Sequence, residues 1–147
     1  MKASPALDQF LKSFERFRPS PYKDSNGYWT IGYGHCMGTA ISIHAMTEVE
    51  AVNQLSKDVG VAENCVNTQV KVPLLQREFD ALVSFVYNCG AEHFEKSTLL
   101  KKLNLGNKAG ASNELLRWVN PGSASEAGLT DRRQKERRIF LLGDYTR

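Results

Sequence analysis

Cysteine is scarce in this chain: Cys36, Cys65 and Cys89 are the three thiols among 147 residues, an odd number without C-x-x-C spacing. A disulfide scaffold and a thiolate zinc site are thereby excluded, and a reducing compartment during storage fits. All three thiols are expected to be buried. Long apolar runs are also missing. No stretch reaches the ~20 residues of a bilayer span, and Met1-Lys2 leads straight into an amphipathic pattern without a signal-peptide core. The chain is therefore expected not to be membrane-embedded and to need outside help for export. His44 and His93 lack ligand spacing and read as surface residues, so no metal and no cofactor is expected.

What remains is ordinary in amount. Hydrophobic residues make up 41% and charged residues 24%, which suits one globular domain and excludes disordered and fibrous classes. The formal charge of +3 favours dwelling on an anionic polymer only slightly. Neither an internal repeat nor a low-complexity segment is present.

The segment from Glu15 to His35 carries the chemistry. Ser4 can cap a helix whose first position is Pro5, and Leu7, Phe10, Leu11 and Phe14 follow at helical spacing, so Glu15 falls at the helix end. Pro19 and Pro21 forbid continuation, Tyr22 to Asp24 can extend, and Asp24-Ser25-Asn26-Gly27 supplies turn residues. Tyr28 to His35 then alternates as a strand. Trp29, Ile31, Tyr33 and His35 share one face; Thr30, Gly32 and Gly34 share the other and leave bare backbone for a close ligand. Asp24 and Thr30 can thus come near one another on a hairpin that forms one wall of a cleft, with Glu15 on the same short stretch. Hydrolysis of a glycosidic bond needs a carboxyl pair: one carboxyl protonates the leaving oxygen and the other activates water or attacks the anomeric carbon. Glu15, beside Phe14 and Phe17, is the candidate acid; Asp24, in a polar turn, is the candidate base; Thr30 is placed to help hold the water.

The run Gly27-Tyr28-Trp29-Thr30-Ile31-Gly32-Tyr33-Gly34-His35, with Glu15 and Asp24 upstream, resembles the phage-type lysozymes, the endolysins of glycoside hydrolase family 24. The resemblance continues through Thr47-Glu48-Val49-Glu50-Ala51, Ser84-Phe85-Val86-Tyr87-Asn88-Cys89-Gly90, Ser97-Thr98-Leu99-Leu100 and Gly128-Leu129-Thr130-Asp131-Arg132-Arg133, nearly the full chain. It implies hydrolysis of the β-1,4 bond between N-acetylmuramic acid and N-acetylglucosamine in peptidoglycan, with lysis of a bacterial host. It also implies storage in the host cytoplasm until a separate phage protein opens the membrane, giving access to the cell wall. The same likeness implies that Arg132 supports Glu15 and that His35 pairs with Asp58. It points to Ser97 and Ser112, more loosely, as cleft positions. Cys36, Tyr87 and Asn88 are further candidate substrate contacts, the last two sitting just before the Gly90 stop.

Downstream, Thr47 and Glu50 form a capping box for a long helix striped by Val49, Val52, Leu55 and Val59. Pro73 is expected to open the next helix, which runs through Leu75, Phe79, Leu82, Val83 and Val86 to Gly90. Shorter helices are expected over 97–105, 108–119 and 131–142, with Trp118 in their core. The fold class is α+β and lysozyme-like: a small hairpin lobe over about 15–60, a long connecting helix, and an all-helical lobe of about 61–147 plus the N-terminal helix, together one domain spanning 1–147. The basic cluster Arg132, Arg133, Lys135, Arg137 and Arg138 is interleaved with Asp131 and Glu136 and followed by apolar residues, so nucleic acid is not an expected partner. A monomer acting on peptidoglycan is expected. Two other classes stay open: a lytic transglycosylase cutting the same bond, which Asp24 argues against, and a non-catalytic wall-binding module. A cysteine amidase built on Cys36 lacks an orienting partner.

Overall fold

The computed structural model describes residues 1–146, which form three antiparallel strands and seven α-helices in an α+β arrangement. Helix α1 (Pro5–Phe14) begins as its sequence dictates: the Ser4 hydroxyl accepts from the Leu7 N–H, and Pro5 occupies the first turn. Its apolar stripe, Leu7, Phe10 and Leu11, is buried. Glu15 ends the helix, its N–H donating to the Leu11 carbonyl at 2.8 Å.

Three strands follow: β1 (Arg18–Lys23), β2 (Trp29–Gly32) and β3 (His35–Gly38), in the order β1-β2-β3. Strand β1 tolerates Pro19 and Pro21 because it lies at an edge, where a missing donor costs no ladder bond. The single strand expected over Tyr28 to His35 is in fact two. Gly32 and Gly34, with φ of +66° and +77°, turn the chain, so His35 opens β3 opposite Ile31 and Cys36 lies opposite Thr30. Bare backbone at these glycines is filled from within the protein: a Cβ on Gly32 would meet Met46 and Ala51.

The capping box at Thr47 and Glu50 opens α2 (Glu48–Gln69), the long connecting helix. Leu55 and Val59 are buried as expected, but Val49 and Val52 are exposed. The buried face runs through Ala51, Leu55, Val59, Ala62 and Val66, spaced three and four residues apart and rotated away from Val49 and Val52. Helix α3 (Gln76–Cys89) starts three residues beyond Pro73; the Leu75 N–H is capped instead by the Glu78 carboxylate at 2.8 Å. Phe79, Leu82, Val83 and Val86 are buried and Gly90, at φ +93°, stops the helix. Then come α4 (Ala91–Glu95), which sequence reading missed, α5 (Thr98–Asn104), and α6 (Lys108–Glu114) with a 3₁₀ turn over Leu115–Arg117. Helix α7 (Glu126–Leu142) begins at Glu126 instead of Asp131. α3 packs along α7, placing Phe79, Leu82 and Phe85 with Ile139, Phe140, Leu99, Leu103 and Leu115 in one core. No described helix is long and apolar enough to cross a membrane.

Candidate active site

A cleft of about 920 Å³ runs between the sheet and the helical lobe, and Glu15, Asp24 and Thr30 all line it. Glu15 enters from the end of α1. Its carboxyl accepts from Arg132 Nη1 at 2.9 Å and lies against Gly34, where a Cβ would collide with it. Gly34 is thus a positional requirement for the Glu15 carboxyl, and it also lines the cleft. The phenols of Tyr22 and Tyr87 also register this carboxylate: burial, and then the Glu15 charge, push both above their ordinary range.

Asp24 is fixed by its own turn. Oδ1 accepts the N–H groups of Asn26 and Tyr28, each at 2.9 Å, while its backbone N–H donates to the Tyr28 carbonyl. No described residue bonds Oδ2, which is the oxygen left for a ligand or water. The Thr30 hydroxyl, 5% exposed, donates to the Tyr28 carbonyl at 3.3 Å and so offers its lone pairs as acceptors.

Arg132 comes from α7 and is 4% exposed. Burial opposes its charge, but Glu136 and Glu15 outweigh that cost and hold the guanidinium above its ordinary pKa. Its Nε donates to Glu136 at 3.2 Å, and its ring-facing side lies 5.2 Å from the Phe14 centroid.

Of the candidate substrate contacts, Cys36, Tyr87 and Asn88 line the cleft. Cys36 is exposed, contrary to the expectation of three buried thiols; only Cys65 is fully buried, and Cys89 is intermediate. Tyr87 donates to the Tyr33 carbonyl at 2.6 Å, tying α3 to the strand turn. Ser97 and Ser112 do not reach the cleft. Ser97, 3% exposed, caps α5 by accepting from Leu100 and donates to Phe94; Ser112, 1% exposed, donates to Ala109. A short hydroxyl side chain, whether at a helix start as in Ser97 or inside a helix as in Ser112, bonds nearby backbone groups before it can reach a ligand. His35 and Asp58 lie off the cleft with Nδ1 and Oδ2 2.8 Å apart, and Gln54 donates to the other Asp58 oxygen at 3.0 Å.

Trp118 and His93 are among the cleft residues that the sequence did not point to. Trp118, expected in the core, is half-buried and lines the cleft with its ring edge-on to Phe85 at 5.5 Å. His93, exposed as expected of a surface residue, also lines it beside Trp118, its Nδ1 donating to the Cys89 carbonyl at 2.7 Å. An aromatic two residues before the Asn120-Pro121-Gly122 break was the available signal, since loops run over the surface and carry binding residues.

A family model described as phage lysozyme matches residues 12–136. The endolysin of Bacillus phage B103 is 40% identical over 146 residues, 98% of this chain, which in turn spans 56% of that relative. Among solved structures, the endolysin from Escherichia coli O157:H7 phage FAHEc1 is 34% identical, with a TM-score of 0.85 over 100% of this chain and 98% of that one. The muramidase domain of SpmX from Asticaccaulis excentricus is 35% identical, with a TM-score of 0.83 over 95% and 97%.

Proposed function

The chain belongs to the phage lysozyme family, and from that premise we propose that it hydrolyses the β-1,4 bond between N-acetylmuramic acid and N-acetylglucosamine in peptidoglycan. The observation that carries this reading is the presence of Glu15 and Asp24 in one cleft, each held by a different kind of support. Glu15 protonates the departing glycosidic oxygen. Asp24, through its open Oδ2, draws a proton from water that the Thr30 hydroxyl helps to orient, and the water attacks the anomeric carbon with inversion. Arg132 holds the Glu15 carboxyl in place and stabilises the anion left after proton transfer. Cys36, Tyr87 and Asn88 contact the glycan. The protein acts as a monomer, without metal or cofactor, and reaches the wall from the host cytoplasm once another protein has opened the membrane.

Reducing ends released from purified peptidoglycan test the reading. The parent protein is expected to release them with a gain of one water per cut, and Glu15→Gln to lose about 10² to 10⁴ in rate while remaining folded. Products lacking that water mass would identify a transglycosylase, and binding without release would leave a wall-binding module. Proton NMR of the first product anomer distinguishes inversion from a covalent intermediate on Asp24. At Thr30, Ser is expected to retain more activity than Val.

A further inference from the structure

Helix α7 buries a charged cluster that the reaction scheme does not use. Glu136 is 0% exposed, and so is Arg133. Glu136 Oε2 accepts from the Ser84 hydroxyl at 2.6 Å and from Arg132 Nε at 3.2 Å. Its Oε1 sits 3.0 Å from Arg133 Nε, yet that N–H is not aimed at the oxygen. The second contact is therefore one of charge and not a hydrogen bond. Arg132 extends from this carboxylate to Glu15, while Arg133 extends the opposite way, donating through Nη2 to the Asn88 side chain and through Nη1 to Cys89 Sγ at 2.9 Å. The Ser84 carbonyl also accepts from Arg132 Nη2 at 3.4 Å.

We propose that Glu136 is a positioning residue that sets both the proton donor and the glycan-contacting carboxamide, through Arg132 to Glu15 and through Arg133 to Asn88. The inference rests on the reaction assigned above to Glu15. One carboxylate between two guanidiniums fixes the direction each fork can take. With its charge removed, Arg132 and Arg133 repel one another and both forks reorient. Displacement of a reacting group by about 1 Å costs roughly 10²-fold. A carboxylate serving stability alone would leave the turnover of folded protein unchanged.

Steady-state kinetics on solubilised peptidoglycan, with melting followed in parallel, separate the two roles. Glu136→Gln is expected to lower kcat and raise KM together, with kcat/KM down roughly 10²-fold. Arg133→Gln is expected to raise KM while kcat stays near the parent's. Glu136→Asp, which keeps the charge, is expected to recover part of kcat. Ser84→Ala removes the hydroxyl that bonds Glu136 at 2.6 Å and Arg132 Nη2 at 3.4 Å without burying a lone charge. It decides the matter if Glu136→Gln does not fold: a smaller drop in kcat together with a raised KM supports the proposal, because the direct contact with Arg132 bears on Glu15 alone. Parental kcat and KM in the folded variants overturn it. A parent protein that releases no reducing ends overturns the glycosidase reading instead, and this inference falls with it.

Discussion

The two walls of the cleft are built by opposite means. On the sheet side, Asp24 is held by N–H groups two and four residues away, and the strands that carry it are short and partly exposed. On the helical side, Glu15 is held by an arginine 117 positions distant, which is itself held by Glu136 and by Ser84 from another helix. Local turns orient a group cheaply, because few residues must be ordered to make the contact. A buried guanidinium needs the whole lobe folded around it before its charge is compensated. Changes on the sheet side should therefore touch activity with little effect on folding, whereas changes on the helical side should disturb both.

The largest contrast is expected from Asp24→Asn. The amide oxygen can still accept from Asn26 and Tyr28, so the turn persists while activity falls by about 10² to 10⁴; a lowered urea midpoint would break the comparison. Arg132→Met is the counterpart on the helical side. It strips a buried carboxylate of a partner, for which about 3 to 5 kcal/mol of stability is expected to be lost along with activity, read from urea unfolding. Gly34→Ala sharpens the boundary between the walls, since Gly34 belongs to the sheet side but abuts Glu15. Its φ of +77° makes a cost of about 1 to 2 kcal/mol expected, with a larger loss in kcat because the Glu15 carboxyl must move.

Alkaline pH probes the helical side further. The phenol of Tyr87 is raised by burial, and that of Tyr145, by burial and then its bond to Asp80, to about 12. The folded chain holds these protons above pH 10.0, where an unfolded tyrosine releases them. Their contribution is full below that pH and declines as pH rises towards 12. Urea midpoints at pH 9 and 11 should show the decline, and Tyr87→Phe and Tyr145→Phe should flatten it. The smallest effect is expected from Asp58→Asn. His35 and Asp58 are each about a quarter exposed, so at most about 1 kcal/mol is expected in a double-mutant cycle; several kcal/mol would mark this contact as a buried device like that on α7.

This division also explains what could be read in the chain before folding. The Ser4 cap, the Asp24 turn, the Thr47 and Glu50 box and the Gly90 stop were legible because each is a contact between residues two to four apart or a single backbone conformation. The strand over Tyr28 to His35 was misread because alternation alone does not reveal that Gly32 and Gly34 both adopt positive φ. The valine stripe on α2 misled because hydrophobicity does not say which face meets the core; Ala51 and Ala62 lie there instead of Val49 and Val52. Trp118, likewise, is apolar enough for the core yet faces the cleft.

Sequence by itself determined the carboxyl pair with its turn, the helix starts that carry caps, and the family likeness that named Arg132 and the His35–Asp58 contact. Tertiary structure alone decided that Ser97 and Ser112 stay out of the cleft, that Glu15 needs Gly34 beside it, and that the two arginines flanking Glu136 reach Glu15 and Asn88. The contacts of these arginines with Glu15 and Asn88, and of Gly34 with Glu15, join residues far apart in the chain, and their geometry depends on how α1, the strand turn, α3 and α7 pack. No local spacing records that packing, because its energy comes from burial shared over the entire core.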